Sequence, residues 1–209
     1  MRLCSAIVLS LVLLGPAFTQ EAESKFKPLF DGKTLKGWKV YPSGTGNWKV
    51  EDGAIVGSGK ASHLFTERGD FVNFHYRAEI SINEGGNSGQ YFRTAFGPGF
   101  PKGYEAQINA THRDPIKTGS LYPSFNRNLK GEALEKLLVK QALHKPDEWF
   151  TQEVIVRGNH IIIKVNGKTT VDFKDENNTF TKGHFAFQQH HEGSIVKIRK
   201  VEVKELPEK

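Results

Sequence analysis

Between Val72 and Ile82 the chain alternates without a break. Val72, Phe74, Tyr76, Ala78, Ile80 and Ile82 are apolar, and Asn73, His75, Arg77, Glu79 and Ser81 between them are polar. A period of two over eleven positions predicts a long strand with one face buried. Trp48–Val50 and Ala54–Val56, separated by Glu51-Asp52-Gly53, predict a hairpin, and so do 153–156 and 160–165 around Arg157-Gly158-Asn159. Asn166-Gly167 turns the chain again into Thr169–Phe173, because both residues accept positive φ. Phe185 and Phe187 alternate with His184, Ala186 and Gln188. In the last run Val196 and Ile198 are out of phase with Val201 and Val203, which predicts a bulge near Arg199-Lys200.

Only Gly131–Ala142 has helical spacing, through Leu134, Leu137 and Leu138, and it reads as a short insertion between strands. Many short strands with Gly and Pro turns and almost no helix predict an all-β sandwich.

Polar chemistry concentrates between Gly85 and Tyr122. With Ser88–Thr94 as one strand, Tyr91 and Arg93 share a face. With Gly103–Asn109 as the next, Glu105, Gln107 and Asn109 share one, and Tyr104, Ala106 and Ile108 take the other. An arginine, an acid and two amides on one sheet face are costly if dry, but suit a wet groove for a polyol.

The N-terminus changes the setting. Met1-Arg2, an apolar run from Leu3 to Leu14, and Gly15-Pro16-Ala17-Phe18-Thr19-Gln20 predict a cleaved signal peptide over residues 1–20, too short to span a bilayer. One domain then occupies residues 21–209. The single cysteine, Cys4, leaves with the signal, so no disulfide framework is expected. Export without disulfides predicts a bacterial periplasmic or secreted protein. The formal charge of +6 is scattered with no run of five cations, and no nucleic-acid motif is present.

Several motifs recur in a characteristic order. They are Leu29-Phe30-Asp31-Gly32-Lys33-Thr34-Leu35-Lys36-Gly37-Trp38, Trp48-Lys49-Val50-Glu51-Asp52-Gly53-Ala54-Ile55, Asn87-Ser88-Gly89 and Gly103-Tyr104-Glu105-Ala106-Gln107-Ile108. Thr118-Gly119-Ser120-Leu121-Tyr122, Arg157-Gly158-Asn159-His160-Ile161 and Val165-Asn166-Gly167 follow. Together they resemble the 3-keto-disaccharide hydrolase family from about Phe26 to Leu206. The resemblance implies a concanavalin A-like jelly roll of two antiparallel sheets with a concave, carbohydrate-facing side. It also implies action on glycosides whose sugar carries a ketone at C3, downstream of a sugar 3-oxidoreductase. The chain departs from the family at the helical insertion and at Lys145-Pro146-Asp147-Glu148-Trp149, both able to reshape the cleft rim.

A C3 ketone acidifies the C2–H bond, so a base can remove that proton and the enolate can expel the C1 oxygen; water then adds back. The site needs a base, a stabiliser for the enolate oxygen and an acid for the leaving group. Glu105 is the expected base, with Arg93 as electrophilic partner; alternatively the two form a cross-strand ion pair that only stiffens the sheet. His190, in phase with Gln188, is the expected acid or a ligand. Gln107, Asn109, Tyr91, Tyr122, Gln188, Asn87 and Ser88 are the expected substrate contacts, with Asn87-Ser88-Gly89 first of all a bend. No transition metal is expected, because adjacent His190 and His191 on a strand point to opposite faces; His112 with Asp114 is the other histidine–acid pair considered. A structural calcium is compatible with a jelly roll, without an acidic loop to mark it. The rival readings are a non-catalytic carbohydrate-binding module and an ordinary glycosidase, the latter requiring a second acid near Glu105.

Overall fold

The computed structural model describes residues 25–207, so the proposed signal peptide lies outside the described residues. The strands follow as β1 (Lys27–Pro28), β2 (Trp38–Tyr41), β3 (Asn47–Glu51), β4 (Ala54–Ser58), β5 (Ser62–Thr66), β6 (Phe74–Ile82), β7 (Ser88–Thr94) and β8 (Tyr104–Ile108). After one helical turn, α1 (Gly131–Glu135), come β9 (Phe150–Arg157), β10 (His160–Val165), β11 (Lys168–Lys174), β12 (His184–Gln189) and β13 (Val196–Glu205). They form two antiparallel sheets. The larger has the order β11-β10-β9-β6-β13-β4-β3, with β1 also on β13; the smaller is β2-β5-β12-β7-β8. This is the expected sandwich. No helix among the described residues is long and apolar enough to cross a membrane.

The alternation read in β6 is the inner lining of the larger sheet: Phe74, Tyr76, Ala78, Ile80 and Ile82 are buried. They meet Phe92, Tyr104, Ala106, Ile108, Phe185 and Phe187 from the smaller sheet in one cluster. The Tyr76 and Phe185 rings stack with centroids 3.9 Å apart. Burying such a set is the main driving force for closing the two layers, at roughly 1.5–3 kcal/mol for each large apolar side chain. The Asn166-Gly167 turn has φ values of 49° and 78°, and Lys200 sits at φ 49° where the β13–β6 register shifts, as the sequence pattern predicts.

Two local expectations fail. The helix ends after one turn instead of reaching Ala142, because residues 137–139 leave it to pair with the Lys117–Leu121 stretch. Leu121 N donates to Leu137 O and Lys117 N to Val139 O, while Val139 N donates to Ser120 Oγ. Those bonds and the full burial of Leu137 outweigh helical spacing.

Arg93 is the second failure. His184 pairs with Thr94 and Ala186 with Tyr91, so Phe185 alone faces both Phe92 and Arg93. This bulge holds Arg93 at φ 47° and breaks the alternation that would have set it beside Tyr91. Its guanidinium turns away from the outer face of the smaller sheet. Nε and Nη2 donate to Val72 O at 2.9 and 2.7 Å, and Nη1 donates to Phe180 O at 3.0 Å. Arg93 thus closes the mouth of the sandwich, beside a cavity of about 590 Å³ that Arg157, His160 and Lys174 also line.

Arg93→Met leaves the Val72 and Phe180 carbonyls short of donors in a buried setting. It should lower the unfolding free energy by about 2–4 kcal/mol. Denaturant unfolding of the variant checks this; a change below about 0.5 kcal/mol, the scale of a neutral surface substitution, would show that the arginine is no clasp.

Candidate functional site

The smaller sheet turns one face to the core and the other outward. Tyr91, Phe65 and Ala186 pack together on the outer side, with Tyr41 against them. In the β7–β8 ladder Tyr91 lies opposite Glu105 and Gly89 opposite Gln107. Glu105 and Tyr91 are therefore neighbours on the outer face, as their strand phases require. Glu105 is nonetheless only 3% exposed. Its carboxyl group occupies the space above Gly89, where an added Cβ would overlap Glu105 Oε1 and the Tyr91 ring. A glycine is needed there because the acid takes the volume of its side chain.

The Thr118–Tyr122 motif completes the wall. Gln107 N donates to Ser120 O at 2.9 Å, Gly119 N to Gln107 O at 3.1 Å and Tyr122 N to Glu105 O at 2.8 Å. The motif is thus an irregular edge on β8 that carries Tyr122 to the acid. The Tyr122 hydroxyl donates to Asp114 Oδ2 at 3.2 Å. Asn109 holds the loop that presents Asp114: its Nδ2 donates to Asp114 O and Ile116 O, and its Oδ1 accepts from His112 N.

These contacts set the electrostatics. Burial pushes the Glu105 carboxyl up to about 8; the Tyr91 hydroxyl bonded to it opposes the rise, and the charge of Asp114 adds to it. Among the described residues no cation pairs with Glu105. Burial raises the Tyr91 phenol well above its ordinary value, with the Glu105 charge adding to the effect. Tyr122 is pushed up to about 12, first by burial and then by Asp114, so near neutrality its hydroxyl is a donor and not a base. Gln188 Nε2 donates to the Tyr91 hydroxyl at 3.2 Å, and the His63 ring stands edge-on to Tyr91 at 5.4 Å. Gln188 Oε1 and His63 Nε2 are buried without a partner among the described residues. Unpaired polar atoms beside an acid are what a polyhydroxylated ligand would satisfy. Burial also lowers the His63 imidazole to about 4, keeping it neutral.

Beyond Gln189, the last residue of β12, the chain bends, and His190 Nδ1 comes within 3.1 Å of His191 Nδ1. The opposite-faces expectation for this pair fails because neither residue is in a strand. His112 joins them, its ring 5.5 and 5.4 Å from theirs. Asn87 Nδ2 lies 3.1 Å from His112 Nδ1, and Ser194 Oγ 2.8 Å from His191 Nδ1.

The structure thus gathers Glu105, Tyr91, Gln107, Gln188 and Tyr122 on one face, with His190 and Asn87 at its histidine end. It removes three expected residues. Arg93 lies on the other side of its layer for the reason given above. Asn109 falls one residue past β8, and both ends of its amide are spent on the 109–118 loop. Ser88 is fully buried, its hydroxyl donating to Gln188 O at 2.6 Å. The sequence pattern did not mark His63 as a site residue, although its phase between Ser62 and Leu64 was an available signal, and it brought in Asp114 only as a partner of His112.

Comparison with known proteins bears on the fold and the family. A 3-keto-disaccharide hydrolase from Bacteroides thetaiotaomicron is 38% identical over 77 residues, covering 31% of this chain and 26% of that protein. A solved structure described as a putative glycosyl hydrolase from Parabacteroides distasonis superposes with a TM-score of 0.68 at 25% identity, over 89% of this chain and 95% of its own. A carbohydrate-binding module from Bacillus subtilis shares the fold at 15% identity, with a TM-score of 0.57 over 80% of this chain and 95% of its own. Residues 25–204 match the model of the 3-keto-alpha-glucoside-1,2-lyase-like domain, and the chain therefore belongs to that family.

Proposed function

We propose that this protein is an exported enzyme that cleaves 3-keto-glycosides by elimination, with Glu105 as the base. One observation carries the reading: a carboxyl group buried on a sheet face with no cation paired to it among the described residues, so that burial pushes it up to about 8. Folding does not gain from such a group, and a base meant to take a carbon-bound proton near neutral pH is served by one. Glu105 takes the C2 proton, the electron pair passes into the C2–C3 bond and charge collects on the C3 oxygen. Re-formation of the ketone then expels the C1 oxygen with its aglycone, and water adds to the enone to complete net hydrolysis. Tyr91, held by Gln188, orients the carboxyl group. Tyr122 and the unpaired atoms of Gln188 and His63 bind hydroxyls. His190 is exposed at the histidine end of this face. The substrate comes from a reaction that oxidises a glycoside at C3.

Asp114 favours a second reading. Its charge reaches Glu105, so an ordinary glycosidase with Glu105 as acid and Asp114 as the second carboxyl group has the pair it needs. Purified protein incubated with a 3-keto-disaccharide and with the unoxidised parent separates the two. Release of free sugar from the keto compound alone is expected; equal cleavage of both would replace elimination by ordinary hydrolysis.

With the keto compound, kcat/KM should rise with pH toward a plateau with an apparent pKa near 8. Glu105→Gln should lose at least about 10³-fold in kcat/KM, near the upper range for a general base. The same substitution should stabilise the fold. The native acid keeps its proton up to about pH 8, while the unfolded acid loses it near 4.5. Stability of the parent therefore falls as pH rises between those values, and the glutamine variant escapes the fall. Denaturant unfolding at pH 5 and pH 9 should show its advantage growing by on the order of 4 kcal/mol; a pH-independent difference would mean that the acid is not buried in its neutral form.

Gly89→Ala should displace the carboxyl group by overlap. We expect at least a tenfold loss of kcat/KM with a stability cost of about 1–3 kcal/mol. Unimpaired turnover would show that the position of the acid above Gly89 is not the working one.

A further inference from the structure

We infer that His112, His190 and His191 form a binding site for one divalent transition-metal ion of the zinc class at the histidine end of the Glu105 face. One ring nitrogen from each lies within 4.8 Å of the other two. The Nδ1 atoms of His190 and His191 are 3.1 Å apart. The three rings come from two separate places in the chain, the 109–118 loop and the bend after β12. A cation in their midst would bridge them, whereas without one two nitrogens meet that can share at most one hydrogen-bonding proton.

The surroundings suit coordination. A histidine that gives one nitrogen to an ion donates from the other, and the acceptor fixes its tautomer. Ser194 Oγ, 2.8 Å from His191 Nδ1, is such an acceptor, and it is itself held by Asn87 N at 2.9 Å. Asn87 stands at the same position on His112 once its amide is turned to present oxygen, an assignment that hydrogen-bond networks decide. The amide of Asp114 also reaches His112 Nδ1 at 3.2 Å, so metal uptake is coupled to a small shift of the 112–114 turn. Imidazole nitrogens select zinc, cobalt, nickel or copper over magnesium or calcium. Three protein ligands leave a position open to an exchangeable oxygen. The role of the ion, holding the C3 oxygen of the substrate as charge collects there, rests on the proposed elimination; the existence of the site does not.

The test therefore needs no substrate. Purified protein is stripped with a chelator, dialysed and titrated with zinc chloride by calorimetry and with cobalt chloride by visible absorption. We expect one equivalent to bind, with the strong d–d bands of a four- or five-coordinate cobalt ion. His112→Ala and His190→Ala should each weaken binding by at least tenfold, and Ser194→Ala by about tenfold, the scale of a lost outer partner. His160→Ala, paired with Asp172 on the other sheet, should bind as the parent does. Circular dichroism and thermal melting show whether each variant is folded, and His190, being exposed, is the one least coupled to folding. Absence of stoichiometric binding, or binding that survives His190→Ala in a folded protein, overturns the site. Sugar release can fail while metal binding stands, and the converse holds too, so the two readings are judged separately.

Discussion

Tyr91 and Glu105 face each other across the β7–β8 ladder, and the outer face of the smaller sheet is organised around that pair. The register is held from below by Phe92, Tyr104, Ala106 and Ile108, which must stay in the core. A slip of one residue would put a carboxylate and a glutamine into the apolar layer and bring those side chains out. Core packing thereby holds an acid in a place where the acid itself gains nothing. The raised pKa is a consequence of that enforced position, since no cation among the described residues relieves it and the charge of Asp114 adds to the rise.

The site divides between two kinds of support. Glu105, Tyr91, Gln107 and Gln188 stand on paired strands, which fixes their directions closely. Tyr122 is tied to β8 by backbone hydrogen bonds, whereas Asp114 and the three histidines stand on segments held by side-chain hydrogen bonds, among them those of Asn109, Asn87 and Ser194. For the proposed cleavage of a glycoside, an acid on paired strands has its direction fixed by the sheet.

Arg93 shows how a single extra residue redirects chemistry. Up to Phe92 the alternation of β7 is regular, and an arginine two positions after Tyr91 belongs on its face. The bulge opposite Phe185 consumes one residue, and the guanidinium closes the end of the sandwich instead. The outer face beside Glu105 is left with uncharged polar groups and, at its end, with His112, His190 and His191. Those histidines converge only because β12 stops at Gln189.

Periodicity along the chain was enough to predict the strands, the hairpin turns, the β13 bulge and the sandwich class, since a half-buried strand writes its burial into every second residue. It also placed Glu105, Gln107 and Tyr91 on their faces, because those assignments depend on neighbours one and two positions away. Arg93, Asn109 and the helix that stops after one turn were decided by tertiary contacts: a partner strand one residue short, a loop needing an amide, an edge offering hydrogen bonds. So was the acidity of Glu105. Its burial depends on Gly89, Tyr122 and Asp114 arriving from three separate stretches, and no local pattern records which side chains will exclude water from a carboxyl group.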